Sequence, residues 1–180
     1  MRLEHDDSCL LVIDIQERLN PTMAAAEQVV ANTKILLKAA HRLEVPTLVS
    51  EQYPRGLGPI VPELRGMMSD DAIVEKLHFS CMGEPAYTQR FDALDRPQVV
   101  VAGIEAHVCV LQTVMDLLSV GRDVFVVADA TSSRAPENHQ AALERMRADG
   151  ACIVTTEMVV FEWLARAGTP EFKELSALIR

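Results

Sequence analysis

The sequence predicts an α/β protein: a doubly wound, mainly parallel six-stranded sheet with helices on both faces, a three-layer αβα sandwich. Three observations carry this expectation. Six short runs, mostly of branched aliphatic residues, read as strands buried on both faces. Segments with helical apolar spacing separate most of these runs, and parallel strands joined by helices form right-handed crossovers. The 180 residues, 49% of them apolar, suffice for one domain with a sizeable core. No repeat, low-complexity tract or linker divides the chain, so a single domain is expected over residues 1–180.

The elements follow in order. Residues 9–13, Cys-Leu-Leu-Val-Ile, form the first strand. From Met23 to about Glu44 the apolar residues Ala26, Val29, Val30, Leu36, Leu37, Ala40 and Leu43 recur at helical spacing. Pro46 opens a second strand at 47–50. Pro54, Gly56, Gly58, Pro59 and Pro62 make the next stretch a long loop, with a short helix near 63–68. Residues 72–75 read as a third strand and 98–102 as a fourth. A helix over 108–118 closes at Gly121. A fifth strand covers 123–128. Pro136 stands where a first helical turn tolerates it, and that helix ends at Gly150. A sixth strand covers 151–155, followed by helices over 157–166 and 170–179.

Charge and cysteine usage narrow the function. Seventeen Lys and Arg against 26 Asp and Glu give a formal charge of −9. That balance argues against nucleic acid or an anionic membrane as partner. The longest apolar or glycine run, 99–104, is far shorter than the roughly 20 residues of a membrane span. The acidic N-terminus carries no signal-peptide pattern. Cys9, Cys81, Cys109 and Cys152 are scattered and make no CxxC pair. A cytoplasmic location is expected.

In doubly wound sheets, ligands gather beyond the carboxyl ends of the strands. Asp14 follows the first strand directly and reads either as a functional carboxylate or as a helix cap. Lys76 ends the third strand and reads as a functional cation or a snorkelling surface lysine. Cys109 follows the fourth strand and opens a helix, where the dipole and free N–H groups lower a thiol pKa. Its competing reading is an inert packed thiol. Together, a thiol nucleophile, a carboxylate to take its proton and a stabilising cation make a complete nucleophilic set. The turn 103–107 before Cys109 could aim N–H groups at an oxyanion.

Several motifs then add up. Asp14-Ile15-Gln16 ends the first strand. Lys76-Leu77-His78-Phe79-Ser80 places an aromatic–Ser pair after the lysine. Gly103 leads through Ile104 to Cys109, and Asp129-Ala130-Thr131-Ser132-Ser133-Arg134 and Thr155-Thr156-Glu157 lie downstream. In this order they resemble the isochorismatase-like cysteine hydrolases over nearly the whole chain, roughly 9–165, within the small single-domain branch of that family. The resemblance implies a triad of Asp14, Lys76 and Cys109 and a cis peptide between Ile104 and Glu105. It also implies an oxyanion hole built from the N–H groups of Glu105 and Cys109, and a homo-oligomeric state. The expected reaction is hydrolysis of a C–N bond in a small amide or related carbonyl compound through a Cys109 thioester.

Nicotinamidases of this family carry an Asp-x-His metal motif after the second strand, whereas Ser50-Glu51-Gln52-Tyr53-Pro54 holds no histidine. The five histidines show no ligand spacing such as HxxxH. No metal and no cofactor are therefore expected. Gln16, Gln52, Phe79 and His107 are expected to line the substrate pocket, with loop packing as the competing role. His107 also stands where it could pair with Cys109. Trp163 is expected to pack the C-terminal helix onto a neighbour or a second subunit. Two other functions compete: a non-catalytic binding or scaffold protein, and a redox-sensing thiol protein in which Cys81 resolves Cys109.

Overall fold

The computed structural model describes residues 1–179. Six strands, β1 (Ser8–Ile13), β2 (Thr47–Gln52), β3 (Ile73–Lys76), β4 (Gln98–Ile104), β5 (Asp123–Ser132) and β6 (Cys152–Val154), make one sheet in the order β3-β2-β1-β4-β5-β6. Every neighbouring pair is parallel. The order reverses between β1 and β4, so the gap beyond their carboxyl ends is the switch point at which doubly wound sheets hold ligands.

Alternating side chains of the central strands feed two cores. Leu10 and Val12 of β1 face one layer with α1 (Ala26–Arg42), α7 (Thr156–Leu164) and α8 (Pro170–Ser176). Cys9, Leu11 and Ile13 face the other, with α4 (Pro85–Leu94), α5 (Leu111–Ser119) and α6 (Pro136–Ala148). β1 is buried at all six positions, which explains why its sequence is apolar without alternation. Trp163 is fully buried against its own chain, and its Nε1 donates to Ser8 Oγ at 3.0 Å. It therefore pins α7 to β1, the first of the two packing roles expected from sequence.

Other differences from the sequence expectation have local causes. α1 begins at Ala26, not Met23, because residues 20–22 close a 3-10 turn first. The loop between β2 and β3 holds two one-turn helices, α2 (Pro54–Leu57) and α3 (Pro62–Arg65), each opened by a proline. α4 was not expected: only Tyr87 and Phe91 of its ten residues are buried, too few for a clear amphipathic period. β5 runs four residues past its expected end. An irregularity in its pairing with β4 resets the register, and Thr131 then stands opposite Gly103.

Candidate active site

β1 stops at Asp14, whose φ of 52° takes the chain into the left-handed region. Aspartate tolerates that conformation better than most residues. The Asp14 backbone N–H still donates to Ser50 O of β2 at 3.1 Å, so the residue stays tied to the sheet edge as the chain turns. Its carboxylate is fully buried. Ser50 Oγ donates to Asp14 Oδ1 at 2.7 Å, and Lys76 Nζ donates to Asp14 Oδ2 at 2.8 Å.

Lys76 belongs to the edge strand β3, two strands away from β1, and its side chain reaches across the end of β2. Besides Asp14, its ammonium faces Gln52 Oε1 at 2.7 Å, Phe79 O at 3.0 Å and His78 O at 3.2 Å. Three ammonium protons thus meet four acceptors. The charge is buried yet fully hydrogen-bonded, which is the condition under which a buried ion is tolerated.

Cys109 enters from the other side of the switch point. β4 ends at Ile104, the Ile104–Glu105 peptide is cis, and residues 106–110 form one π-helical turn that leads into α5. π turns are rare and concentrate at functional sites. Gly103, with φ of 130°, allows the approach: a Cβ there would overlap backbone atoms of Ile13. The Cys109 thiol faces the Asp14 carboxylate closely enough for the two to influence each other's protonation, and 5% of the residue is exposed.

The loop after β3 is fastened to the Cys109 turn and α5 at two points. Cys81 N donates to Thr113 Oγ1 at 3.0 Å, and Thr113 Oγ1 donates to Cys109 O at 2.7 Å. One residue earlier, Ser80 Oγ donates to Asp116 Oδ2 at 2.6 Å. The carbonyls that hold Lys76 and the backbone that holds Cys109 are therefore parts of one hydrogen-bonded unit.

Burial dominates the electrostatics. It pushes the Asp14 carboxyl above the ordinary carboxylate range, against the pull of Lys76 and of the Ser50 and Cys109 hydrogen bonds. For Lys76, burial opposes the charge, but Asp14, Cys81 and Cys109 favour it, and the ammonium is held protonated above its ordinary value. The Cys109 thiol is pushed up, first by burial and then by the Asp14 carboxylate, with Lys76 opposing. This corrects the expectation of a thiol pKa lowered by a helix N-terminus: burial and the neighbouring Asp14 carboxylate favour the protonated thiol.

The expected pocket residues divide. Gln52 touches Lys76 directly, accepting from its ammonium through Oε1 while its Nε2 donates to Leu77 O at 3.0 Å. Gln16 is a correction. It is fully buried, donates to Gln52 O and Gly58 O at 3.0 and 2.7 Å, and accepts from Gln52 N at 2.8 Å. Its amide is consumed in stapling the loop between β2 and β3, so it does not line a pocket. Phe79 contributes its carbonyl to Lys76, and its ring is 54% exposed at the rim. His107 is not a partner of Cys109: its Nδ1 lies 2.9 Å from Ser133 Oγ, and its Nε2 lies 3.5 Å from Asn138 Nδ2.

Sequence reasoning missed Ser50, Thr113 and the pairing of Arg134 with Glu105, although it read Arg134 as an anchor of its loop. The Arg134 backbone N–H donates to Glu105 Oε2 at 3.0 Å and its guanidinium pairs with Glu105 Oε1 at 3.1 Å, which fixes the residue that follows the cis peptide. Ser50 had a readable signal, since it ends a strand beside the one that ends at Asp14. Glu51, also at that strand end, accepts from Ile60 N at 2.7 Å. Among the described residues no three His, Cys, Asp or Glu side chains cluster as metal ligands would. Among them, also, no helix is long and apolar enough to cross a membrane.

A buried carboxylate–ammonium pair facing a thiol, at the switch point of a doubly wound sheet, defines the class as the isochorismatase-like hydrolases. The isochorismatase domain model matches residues 8–158, and the chain belongs to that family. Isochorismatase domain-containing protein 2 of Danio rerio is 40% identical over 180 residues, covering 99% of this chain and 89% of its own. The structure of MAR1 ribonuclease from Caenorhabditis elegans superposes with a TM-score of 0.92 at 37% identity, over 99% of this chain and 92% of that one. YcaC from Pseudomonas aeruginosa, solved with hexane-2,5-diol and covalent acrylamide, has a TM-score of 0.92 at 26% identity, over 98% of this chain and 91% of that one.

Proposed function

We propose that this protein is a metal-independent cysteine hydrolase cleaving a C–N bond of a small amide or related carbonyl substrate. The observation that carries the reading is the Lys76–Asp14 ion pair, at 2.8 Å and wholly buried, within reach of the Cys109 thiol. Asp14 takes the thiol proton as sulfur attacks the carbonyl carbon. The negative charge passes from the Asp14 carboxylate through sulfur to the substrate oxygen while Lys76 stays charged, so the net charge of the site is unchanged. The N–H groups of Glu105 and Cys109 receive the oxyanion, at about 3 kcal/mol per donor. The C–N bond breaks as Asp14 passes its proton to the leaving nitrogen. Water attacks the thioester, giving its proton to Asp14, and the thiol re-forms.

The acrylamide held covalently by the Pseudomonas relative supports a site open to small amide electrophiles. Independence of metal is supported by the residues at the end of β2: Gln52 is committed to Lys76 and Glu51 to Ile60 N. The name ribonuclease on the Caenorhabditis relative points to a polyanionic substrate. The charge of −9 and the nearly closed thiol favour a small molecule instead. A redox role is disfavoured by Cys81, which is fully buried and pushed up to about 11 by that burial. A cytoplasmic homo-oligomer completes the reading. Exposed Tyr53, Leu77 and Phe79 on the loops beyond β2 and β3 support the assembly.

The test is a screen of small amides and esters against wild type and Cys109→Ala, reading released ammonia or amine. Turnover confined to the wild type is expected. Turnover that survives in Cys109→Ala overturns the nucleophile, and RNA cleavage without amide turnover overturns the substrate class.

A further inference from the structure

The buried end of β2 holds a hydroxyl that the proposed chemistry does not yet use. Ser50 Oγ donates to Asp14 Oδ1 at 2.7 Å, and the Cys81 thiol approaches the same Oγ at 3.5 Å as a donor. All three residues are fully buried. A serine hydroxyl is a rotor with one proton to give and lone pairs to accept. With Cys81 S–H directed at Oγ, the hydroxyl proton is turned to the only strong acceptor left to it, the Asp14 carboxylate. The main chain reinforces this: Ile13 is in register with Ser50, and Asp14 N donates to Ser50 O at 3.1 Å. The Ser50 main chain is therefore fixed beside Asp14.

The groups facing Asp14 share out its two oxygens. Lys76 from β3 holds Oδ2, Ser50 from β2 holds Oδ1, and Cys109 comes from the turn before α5. Cys81 from the loop after β3 and Tyr87 from α4 lie behind Ser50 as neutral titratable groups, and the Tyr87 hydroxyl has no hydrogen-bond partner. Lysine alone would leave Oδ1 bare in an apolar setting, where a carboxyl group favours its protonated form. A protonated Asp14 cannot accept the thiol proton.

We infer that Ser50 is a positioning residue that keeps Asp14 ionised and fixes its orientation toward Cys109, oriented in turn by the Cys81 thiol. The inference rests on the hydrolase reading above and names a residue on which its general base depends. Its logic is that a donor to the charged form lowers the pKa of the acid it serves. Removing that donor moves the protonation of Asp14 upward in pH, a displacement that loss of packing alone does not produce.

The experiment follows carbamidomethylation of Cys109 by iodoacetamide, resolved from the other cysteines by peptide mass spectrometry, between pH 4 and 9 on the whole chain. Wild type is expected to show an acid limb, where the rate falls as Asp14 takes a proton. Ser50→Ala is expected to move the midpoint of that limb up by about one pH unit. Ser50→Thr keeps the hydroxyl and is expected to return the midpoint to the wild-type position. Ser50→Cys, with its weaker donor, is expected to lie between and answers the same question should the alanine variant not fold. Superimposable profiles for wild type, Ser50→Ala and Ser50→Cys overturn the inference, as does a shift that threonine does not reverse. Asp14→Asn separates the two levels. If it abolishes the acid limb while Ser50→Ala leaves it in place, the positioning role fails and the base stands. If the limb persists in Asp14→Asn, Asp14 is not the base and both readings fall.

Discussion

Gly103 lies against Ile13 so closely that a Cβ added to it would overlap the Ile13 carbonyl oxygen and stand 2.6 Å from the Ile13 nitrogen. The two residues immediately precede the two halves of the site, Asp14 on one strand and the cis peptide and Cys109 turn on the next. Asp14 and the Cys109 turn are brought together by backbone contact between their strands before any side chain is considered.

Gly103→Ala is accordingly expected to be severe. The alanine would combine a φ of 130° with a backbone overlap that cannot relax through a rotamer. A loss on the order of 3 kcal/mol or more is expected by urea denaturation. A midpoint unchanged from wild type would show that β4 can slide along β1.

Cys109→Ala should abolish amide turnover while leaving the fold intact. The residue is small and 5% exposed, so the void is slight. A fall in kcat of at least about a thousandfold is expected, since the covalent route disappears. Far-UV circular dichroism and ammonia release measured on the same sample check both halves.

Lys76→Met should destabilise the protein by about 3–5 kcal/mol, because it leaves a buried carboxylate without its counterion, whereas Asp14→Asn, which removes a charge that burial opposes, should cost less. The double variant is expected to lose markedly less than the sum, and urea melts of all four proteins give the coupling. The pH dependence has a definite sign. Burial raises the Asp14 pKa above its ordinary 3.8, so its contribution to stability is fully present below that value and is lost as pH rises through the folded pKa.

Thiol labelling should sort the four cysteines. Cys152 is exposed and serves as the ordinary reference. Cys9 and Cys81 are buried and pushed up to about 12 and about 11, and they should stay unlabelled in native buffer. Cys109 should react with small electrophiles through Asp14, so its rate falls as pH drops through a midpoint above 3.8. A Cys109 rate that tracks Cys152 across the pH range would remove the role of Asp14.

Arg134→Ala should lower kcat by roughly tenfold with little change in KM and less than about 1 kcal/mol in stability. The arginine side chain is 65% exposed, so its ion pair adds little to folding. Its geometric work is to hold Glu105, whose N–H is assigned to the oxyanion. Steady-state kinetics and a urea melt on one preparation test the split.

The sheet was legible because burial on both faces leaves an unmistakable apolar signature in β1 and β4, and because the glycines after α5 and α6 stop those helices. Asp14, Lys76 and Cys109 were legible for a related reason: each follows an apolar run, and strand ends in such folds share one rim. The supporting residues were not. Gln16 and Gln52 have the same side-chain chemistry and flank the same motifs, yet one staples a loop and the other holds Lys76. That division depends on the path of residues 53–61, which no periodicity encodes. The state of the Cys109 thiol was hidden as well, because a helix start in the sequence does not reveal how deeply the turn before it is buried.

The ties from Ser80 to Asp116 and from Cys81 through Thr113 to Cys109 have a pharmacological corollary. A compound wedged outside, against the loop following β3, would drag ammonium cradle and sulfur together without touching either.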